Sequence, residues 1–312
     1  MAVIGITGIS GYVGSRLATA MAADADTRVM GIDLAPPLRG ADRIDFEPMD
    51  VRDARLIERF RQAGVTSVVH LACVFDPIHD REKARDVHVG GTRNVLAAAE
   101  ACGASQVLFL SSTYGYGAHP DSPPRLREDH AFRPNPRCAL ASDQAEMERL
   151  VLAFGAAHPD VRVAIARCCT VLGPGANHFI ARALQEPFIL VPRGADPEIQ
   201  FIHEDDLVAA CLLILREGRA GVWNLVGEGT MRLSQCLARL GSRVRHLPSP
   251  VIAALSRLAW RLRLPLPAAP PGLLPYLTHP CVASGERAAR ELGFTARHGA
   301  AETLESYLKS FL

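Results

Sequence analysis

Two hydrophobic patterns alternate over the first half of the chain. Short runs rich in apolar residues, AVIGITG from Ala2, TRVMGID from Thr27, TSVVHLA from Thr66, SQVLFLSS from Ser105 and VRVAIAR from Val161, read as strands. Between them, apolar positions recur three and four residues apart. These stretches are GYVGSRLATAMAA, ARLIERFRQAG, a segment from Asp86 to Cys102, and CALASDQAEMERLV from Cys138 to Val151, and they read as helices. A short third strand is expected at FEPMD, before Val51. Strands apolar on both faces and separated by helices imply a parallel sheet covered on both sides.

The pattern changes after Arg167. Prolines cluster, and the strand-like pieces QFIH and GVWNLV lie among irregular segments. The last hundred residues hold several helices and two proline-rich breaks, near Pro248 and from Pro265 to Pro275. The expected organisation is a nucleotide domain over 1–170, with a strand near 221–226 returning to it. A smaller, mostly substrate-binding lobe is expected over 171–312. No internal repeat is visible.

Composition narrows the function classes. A net charge of +1 over 312 residues gives no electrostatic basis for nucleic-acid binding. Lys83, expected in or near a loop after the fourth strand, and Lys309, in the C-terminal tail, are the only lysines, which removes most candidates for a catalytic lysine. The eight cysteines form no CxxC pair and suit a reducing compartment. Scattered His, Asp and Glu show no metal-ligand spacing. No leader and no membrane span are expected, and a cytoplasmic protein is.

The turn Gly8, Ile9, Ser10, Gly11, Tyr12, Val13, Gly14 joins the first strand to the first helix. Gly8 allows a tight turn, Gly11 lets the backbone approach a pyrophosphate, and Gly14 lets the helix pack closely on the strand. Unpaired N–H groups at the helix start would then face the phosphates. Asp33 ends the second strand, where a carboxylate accepts from ribose hydroxyls and repels a 2′-phosphate. Leu34 and Ala35 follow it in place of an arginine. The expected cofactor is therefore NAD in preference to NADP.

At this point the chain resembles the extended short-chain dehydrogenase/reductases, the family of the NAD-dependent sugar epimerases and dehydratases. TGxxGxxG stands as Thr7 to Gly14, and Asp-x-x-Asp as Asp50-Val51-Arg52-Asp53. HLAA stands as His70-Leu71-Ala72-Cys73, and N-V-x-G-T-x-N as His88 to Asn94 with His in the first place. SSxxxYG stands as Ser111 to Gly117. Gly173-Pro174-Gly175, Gln200 to Asp206, Gly221 to Asn224 and the closing segment Glu286 to Phe294 follow in order. The resemblance implies a Rossmann-type doubly wound parallel sheet of α/β class with a smaller C-terminal substrate lobe. It places Asp50 and Val51 near the adenine, and Leu71, Ala72 and Cys73 under the cofactor.

In that family a Tyr-x-x-x-Lys pair moves the substrate proton, and a Ser or Thr holds the substrate oxygen. Aligned with Y-A-x-x-K-A-E-M-E-R-L-L, this chain carries Leu140 for the tyrosine and Gln144 for the lysine. Shifting the register by two puts Cys138 and Ser142 there, and Tyr-x-x-x-Lys occurs nowhere in the chain. Ser112 keeps the position of the family's catalytic hydroxyl. It reads either as a donor to a substrate oxygen or as a polar residue retained at a strand end. Thr113 and Tyr114 replace the dehydratases' Asp-Glu pair, and Tyr114 reads as a relocated phenol or a packing aromatic. Cys138 reads as an inert small residue or as a thiol acid or nucleophile, and Gln144 as a partner of the nicotinamide ribose. His130, His178 and His203 are further candidates near the cleft, with Asp205 or Asp206 expected to cap a helix.

Residues 250–264 are apolar with three arginines. They read as a core-facing helix, a lid over a hydrophobic substrate, a binder of substrate diphosphate, or a weak contact with a membrane surface. A homodimer through the Cys138–Val151 helix is compatible with its apolar face, which includes Ala141, Ala145 and Leu150. Two functions follow. One is an NAD(H)-dependent oxidoreductase or epimerase-like enzyme with a rebuilt acid/base set, acting on a sugar nucleotide or a hydrophobic ketone or alcohol. The other is a catalytically silent NAD-binding redox sensor or scaffold.

Overall fold

A computed structural model describes residues 2–264 and 272–311. The first half runs β1 (Ala2–Thr7), α1 (Tyr12–Ala22), β2 (Thr27–Asp33), β3 (Ile44–Pro48), α2 (Arg55–Ala63), β4 (Ser67–His70), α3 (Arg81–Arg85), α4 (Gly91–Ala101), β5 (Gln106–Ser112), α5 (Ala139–Ala157) and β6 (Arg162–Cys168). The second half runs β7 (Thr170–Leu172), α6 (Phe179–Ala183), β8 (Phe188–Pro192), β9 (Glu198–Ile199), β10 (Phe201–His203), α7 (Glu204–Arg216), β11 (Gly221–Leu225), β12 (Met231–Arg232), α8 (Leu233–Leu240), β13 (Arg243–Leu247), α9 (Ser249–Arg261), α10 (Glu286–Leu292) and α11 (Ala300–Lys309).

The α/β class and the Rossmann-type sheet hold. Seven strands lie in the order β11-β6-β5-β4-β1-β2-β3, every pairing parallel. Burial explains the continuous apolar runs. Ile4, Ile6, Val29, Leu108 and Ala164 face one layer with Leu17, Leu207 and Ile214 of α1 and α7. Met30, Val68, Val107, Phe109 and Ile165 face the other with Phe60, Val95 and Met147 of α2, α4 and α5. Both faces are buried, so neither shows a strict period of two. β1 and β4 are sheet neighbours, but the chain leaves β1 toward β2 and only later returns to β4. That reversal opens a crevice at the carboxyl ends of the strands.

Three local expectations shift. The third strand begins at Ile44, ahead of FEPMD. The helix from Asp86 breaks into a π turn, Asp86–Gly90, followed by α4. Lys83, expected in or near a loop, lies on α3, where its N–H donates to the carboxylate of Asp80 at the helix start. Past β6, β7 pairs with β10, β8 with β13 and β9 with β12. A separate core of Leu172, Phe201, Met231, Cys236, Leu304 and Tyr307 holds these pieces. The proline-rich break from Pro265 to Pro275 falls largely outside the described residues.

Candidate active site

The turn after β1 is shaped by two glycines. Gly8 has φ +77°, and a Cβ there would stand 2.6 Å from Ala72 N and 2.7 Å from Leu71 C. The glycine turn and the chain leaving β4 therefore close on each other at the crevice. A Cβ at Gly14 would fall onto Gly8 O. Gly11 precedes α1 in extended conformation and no side chain caps the helix. The N–H groups of Tyr12, Val13 and Gly14 open its first turn, where an α-helix has no acceptor of its own to offer. The ring of Tyr12 turns away, and its hydroxyl donates to the buried Glu204. Glu204 also takes Arg16 at 2.8 Å and Gly175 N at 3.1 Å, which ties α1 to α7 and to the Gly173–Gly175 turn. Burial, then the hydrogen bond to Glu204, raises the Tyr12 phenol pKa far above its ordinary value.

Asp33 ends β2 facing this turn. Its carboxylate accepts from Ser10 N at 2.9 Å and from Leu34 N at 2.7 Å. Asp50 is differently engaged. Arg52 donates to it from Nε at 2.9 Å, from a terminal nitrogen at 2.7 Å and from the backbone at 2.9 Å. These bonds hold the Asp50 carboxyl below the usual carboxylate range against a modest burial effect. Val51 is buried and packs against Gly91, where a Cβ would meet its side chain at 2.6 Å.

Ser112 ends β5 and is nearly buried. Its Oγ accepts from Tyr114 N at 3.2 Å, so the hydroxyl proton remains free to donate. The Tyr114 phenol lies 3.1 Å from Thr170 Oγ1, and its ring packs edge-on against Tyr276. Burial raises its pKa well above that of a free tyrosine. Leu140 lies in the first turn of α5, half-buried, and offers no proton. Gln144, one helical turn on, is buried: Nε2 donates to Cys73 Sγ at 3.6 Å, while Oε1 has no partner. Cys138 is buried just before α5, and burial pushes its thiol up.

The remaining histidines serve the framework. His178 accepts from Ala181 N at 3.3 Å and reaches Val171 O at 2.8 Å; burial lowers its pKa. His130 accepts from Arg127 N at 2.9 Å in an exposed loop. His203, not Asp205 or Asp206, caps α7, its Nδ1 accepting from Asp205 N at 3.2 Å. Asp206 instead takes the backbone and ring of His298, at 3.0 Å and 2.9 Å.

One cluster escaped the sequence reading. His88, in the π turn, reaches Asp143 Oδ2 from Nδ1 at 2.8 Å. Cys73 Sγ lies 3.5 Å from His88 Nε2, and Val74 N–H donates to the same nitrogen at 3.0 Å. Asp143 is fully buried on α5, gripped by Arg81 through both oxygens and by Arg85 at 3.4 Å. Burial opposes a charge on His88. The Asp143 carboxylate and the Cys73 sulfur outweigh it, and the ring is raised to about 9. The Val74 N–H works against protonation, because it is satisfied only while Nε2 keeps its lone pair. The direction that stands is a ring made more basic than a free imidazole by Asp143. His70, beneath it, is tied to Thr7 Oγ1 at 2.8 Å and Thr92 Oγ1 at 3.0 Å, and burial lowers it to about 3. The available signal was His88 itself, standing where the motif carries asparagine. Asp143 gave none, since its partners lie 55 or more positions away. Among the described residues no cluster of His, Cys, Asp and Glu is arranged to hold a metal ion, and no helix is long and apolar enough to cross a membrane.

Comparison with known proteins places this geometry. A sequence profile of the NAD dependent epimerase/dehydratase family matches residues 4–225. The chain is similar to an uncharacterized protein of Mycobacterium bovis, 28% identical over 257 residues, covering 80% of this chain and 67% of that one. It is also similar to the N-acetyl-alpha-D-glucosaminyl-diphospho-ditrans,octacis-undecaprenol 4-epimerase of Escherichia coli O157:H7, 27% identical over 264 residues, covering 79% and 75%. Among solved structures, MoeE5 in complex with UDP-glucuronic acid and NAD superposes with a TM-score of 0.78 at 23% identity, covering 100% of this chain and 99% of the other. The UDP-glucuronic acid 4-epimerase of Bacillus cereus in complex with NAD gives 0.74 at 18% identity, covering 99% of each. At these identities the structural likeness is one of fold.

Proposed function

The chain belongs to the NAD dependent epimerase/dehydratase family, and from that premise we propose that it is an NAD(H)-binding enzyme that interconverts a hydroxyl and a carbonyl with an acid/base set of its own. One observation carries the reading. At the crevice between β1 and β4 a glycine turn closes on Leu71 and Ala72, while nearby α5 buries a carboxamide oxygen, Gln144 Oε1, without a partner. A ribose hydroxyl would satisfy that oxygen.

The N–H groups of Tyr12, Val13 and Gly14 would hold the pyrophosphate, Asp33 the adenosine ribose, and Asp50 and Val51 the adenine. Leu71, Ala72 and Cys73 would underlie the nicotinamide, and Gln144 Oε1 would accept from its ribose. A bound nicotinamide supplies the hydride donor or acceptor. Ser112 donates its free proton to the substrate oxygen and polarises it. Tyr114, buried against Thr170, packs the wall of the cleft. Asp33 favours NAD over NADP. The names of a relative and a structural neighbour, which carry a lipid-diphosphate sugar and a sugar nucleotide, support a nucleotide- or lipid-linked sugar as substrate, with a hydrophobic ketone or alcohol as the alternative.

The interaction surfaces follow from exposure. Val251, Leu255 and Leu258 form an exposed stripe on α9, continued by Leu262 just past its end, with Arg257 and Arg261 also exposed. This supports contact of 250–264 with an anionic membrane surface, tested by sedimentation with phosphatidylglycerol vesicles. A homodimer through α5 would use Leu152, which is exposed, and the half-buried Leu150. Ala141 is buried within the chain itself. Leu140 and Gln144 favour the second reading, a silent NAD-binding sensor or scaffold.

Calorimetry with NAD and NADP, followed by turnover assays on sugar nucleotides, ketones and aldehydes, separates these. Tighter binding of NAD together with NADH consumption is the expected result. NAD binding without turnover across the panel leaves the sensor, and no binding of either dinucleotide removes both readings.

A further inference from the structure

We propose that Cys73, His88 and Asp143 form a proton relay at the mouth of the β1–β4 crevice, with Cys73 Sγ as the catalytic acid and base in place of the family's phenol. The inference rests on the reading that the crevice holds a dinucleotide, and it names the group that completes the chemistry there.

The three side chains stand in the order that proton transfer needs: thiol, imidazole, carboxylate. Sγ is 3.5 Å from Nε2, and Nδ1 is 2.8 Å from the buried carboxylate. Their level in the fold is set by strand register. His70 of β4 pairs with Phe109 of β5, so Cys73 and Ser112 each stand three residues beyond the same step. Cys73 thus follows the end of β4 on the side of the sheet edge where Ser112 ends the neighbouring β5. Cys73 is partly exposed. Gln144 adds an amide N–H at 3.6 Å from Sγ.

His88 reaches this place because its turn is π-helical. The extra residue in such a turn re-aims the side chain it carries, and these turns recur at functional sites. The charged and titratable groups around the ring are Asp143 from α5, Arg81 and Arg85 from α3 acting through Asp143, Cys73 from the loop after β4, and His70 from β4. Both nitrogens of His70 are bound to threonine hydroxyls, so it cannot compete for the proton.

The step balances with the dinucleotide on which the proposal rests. As a substrate hydroxyl is oxidised, its proton passes to the Cys73 thiolate held beside the His88 imidazolium, and its hydride would pass to bound NAD+. The positive charge stays on the imidazolium, against Asp143. Both transfers reverse when a carbonyl is reduced. No bond to sulfur other than S–H forms or breaks. His88 and Asp143 act as positioning residues, since they reach the substrate only through sulfur.

The test reads the thiol directly. Cys73 is alkylated with iodoacetamide from pH 5 to 9, with and without NAD, and quantified by peptide mass spectrometry. His88→Asn and Cys73→Ser are compared with the wild type, and NAD affinity is measured in each by calorimetry. The expected result is a rate at pH 6 at least about tenfold above that of His88→Asn, as an imidazole-paired thiol gives. NAD should slow alkylation severalfold. Should His88→Asn fail to fold, the wild-type profile decides: a plateau at low pH supports the relay, and a single rise near the ordinary thiol range overturns it. Equal rates in wild type and His88→Asn also overturn it. If NAD binds by calorimetry yet leaves alkylation unchanged, the relay falls while the cofactor reading stands. If NAD does not bind, the cofactor reading fails, and with it the catalytic role proposed for Cys73.

Discussion

Single residues carry the chemical departures of this chain. His88 is raised to about 9 when folded, from an ordinary 6.5, so folding favours its protonated form. Its contribution to stability is therefore fully present below about pH 6.5 and is lost as the pH rises through about 9. Urea denaturation across that window should show stability falling in the wild type, with the fall flattened in His88→Asn. A stability that rises over the same range would contradict the Asp143 pairing. Gly8 allows an equally direct check. Its φ of +77° and the backbone of Ala72 at 2.6 Å leave no room for a methyl group. Gly8→Ala should destabilise the fold by about 1–3 kcal/mol in urea and abolish NAD binding by calorimetry. Gly8 was readable from the motif alone. The pairing of His88 was not, because a residue's titration depends on neighbours that the linear order does not name.

At the scale of elements, α5 is the member through which the site is assembled. One edge of it presents Asp143 and Gln144 to the crevice. The same helix anchors itself to the sheet through Glu148, which takes Arg167 of β6 at 3.0 Å and Ser111 of β5 at 2.6 Å. Both charges of the Glu148–Arg167 pair are nearly sealed from solvent. Arg167→Ala leaves a buried carboxylate without its cation. The expected loss is about 3–5 kcal/mol by chemical denaturation. A loss below about 1 kcal/mol would mean that the pair is more hydrated than its burial indicates. α9 gives the opposite case. Leu258 is 53% exposed, so Leu258→Glu should change stability by no more than about 0.5 kcal/mol while weakening sedimentation with anionic vesicles. Helix identity was legible from apolar spacing, although α5 runs on to Ala157, six residues past the expected end at Val151. The π turn was not legible, since its extra residue answers to packing and leaves no mark in the spacing.

Across the whole molecule, the late strand β11 completes the sheet by pairing with β6 from Gly221↔Ala164 to Leu225↔Cys168. A chain ended after Thr170 would leave β6 as a long apolar edge. It is expected to aggregate on expression, whereas one ended after Gly229 should keep more of its product in the soluble fraction on centrifugation. Equal solubility of the two would count against β11 as the protecting edge. Local order was enough to place the doubly wound sheet and the glycine turn with Asp33. Each rests on residues near one another in the chain or on the identity of a single position. The return of a strand near 221–226 was also legible in the chain, whereas the capture of Asp50 by Arg52, the sealing of Glu204 against Tyr12, and the alignment of Cys73, His88 and Asp143 were decided only when the chain folded. Those contacts depend on distances and burial between side chains, which apolar periodicity and motif spacing do not encode.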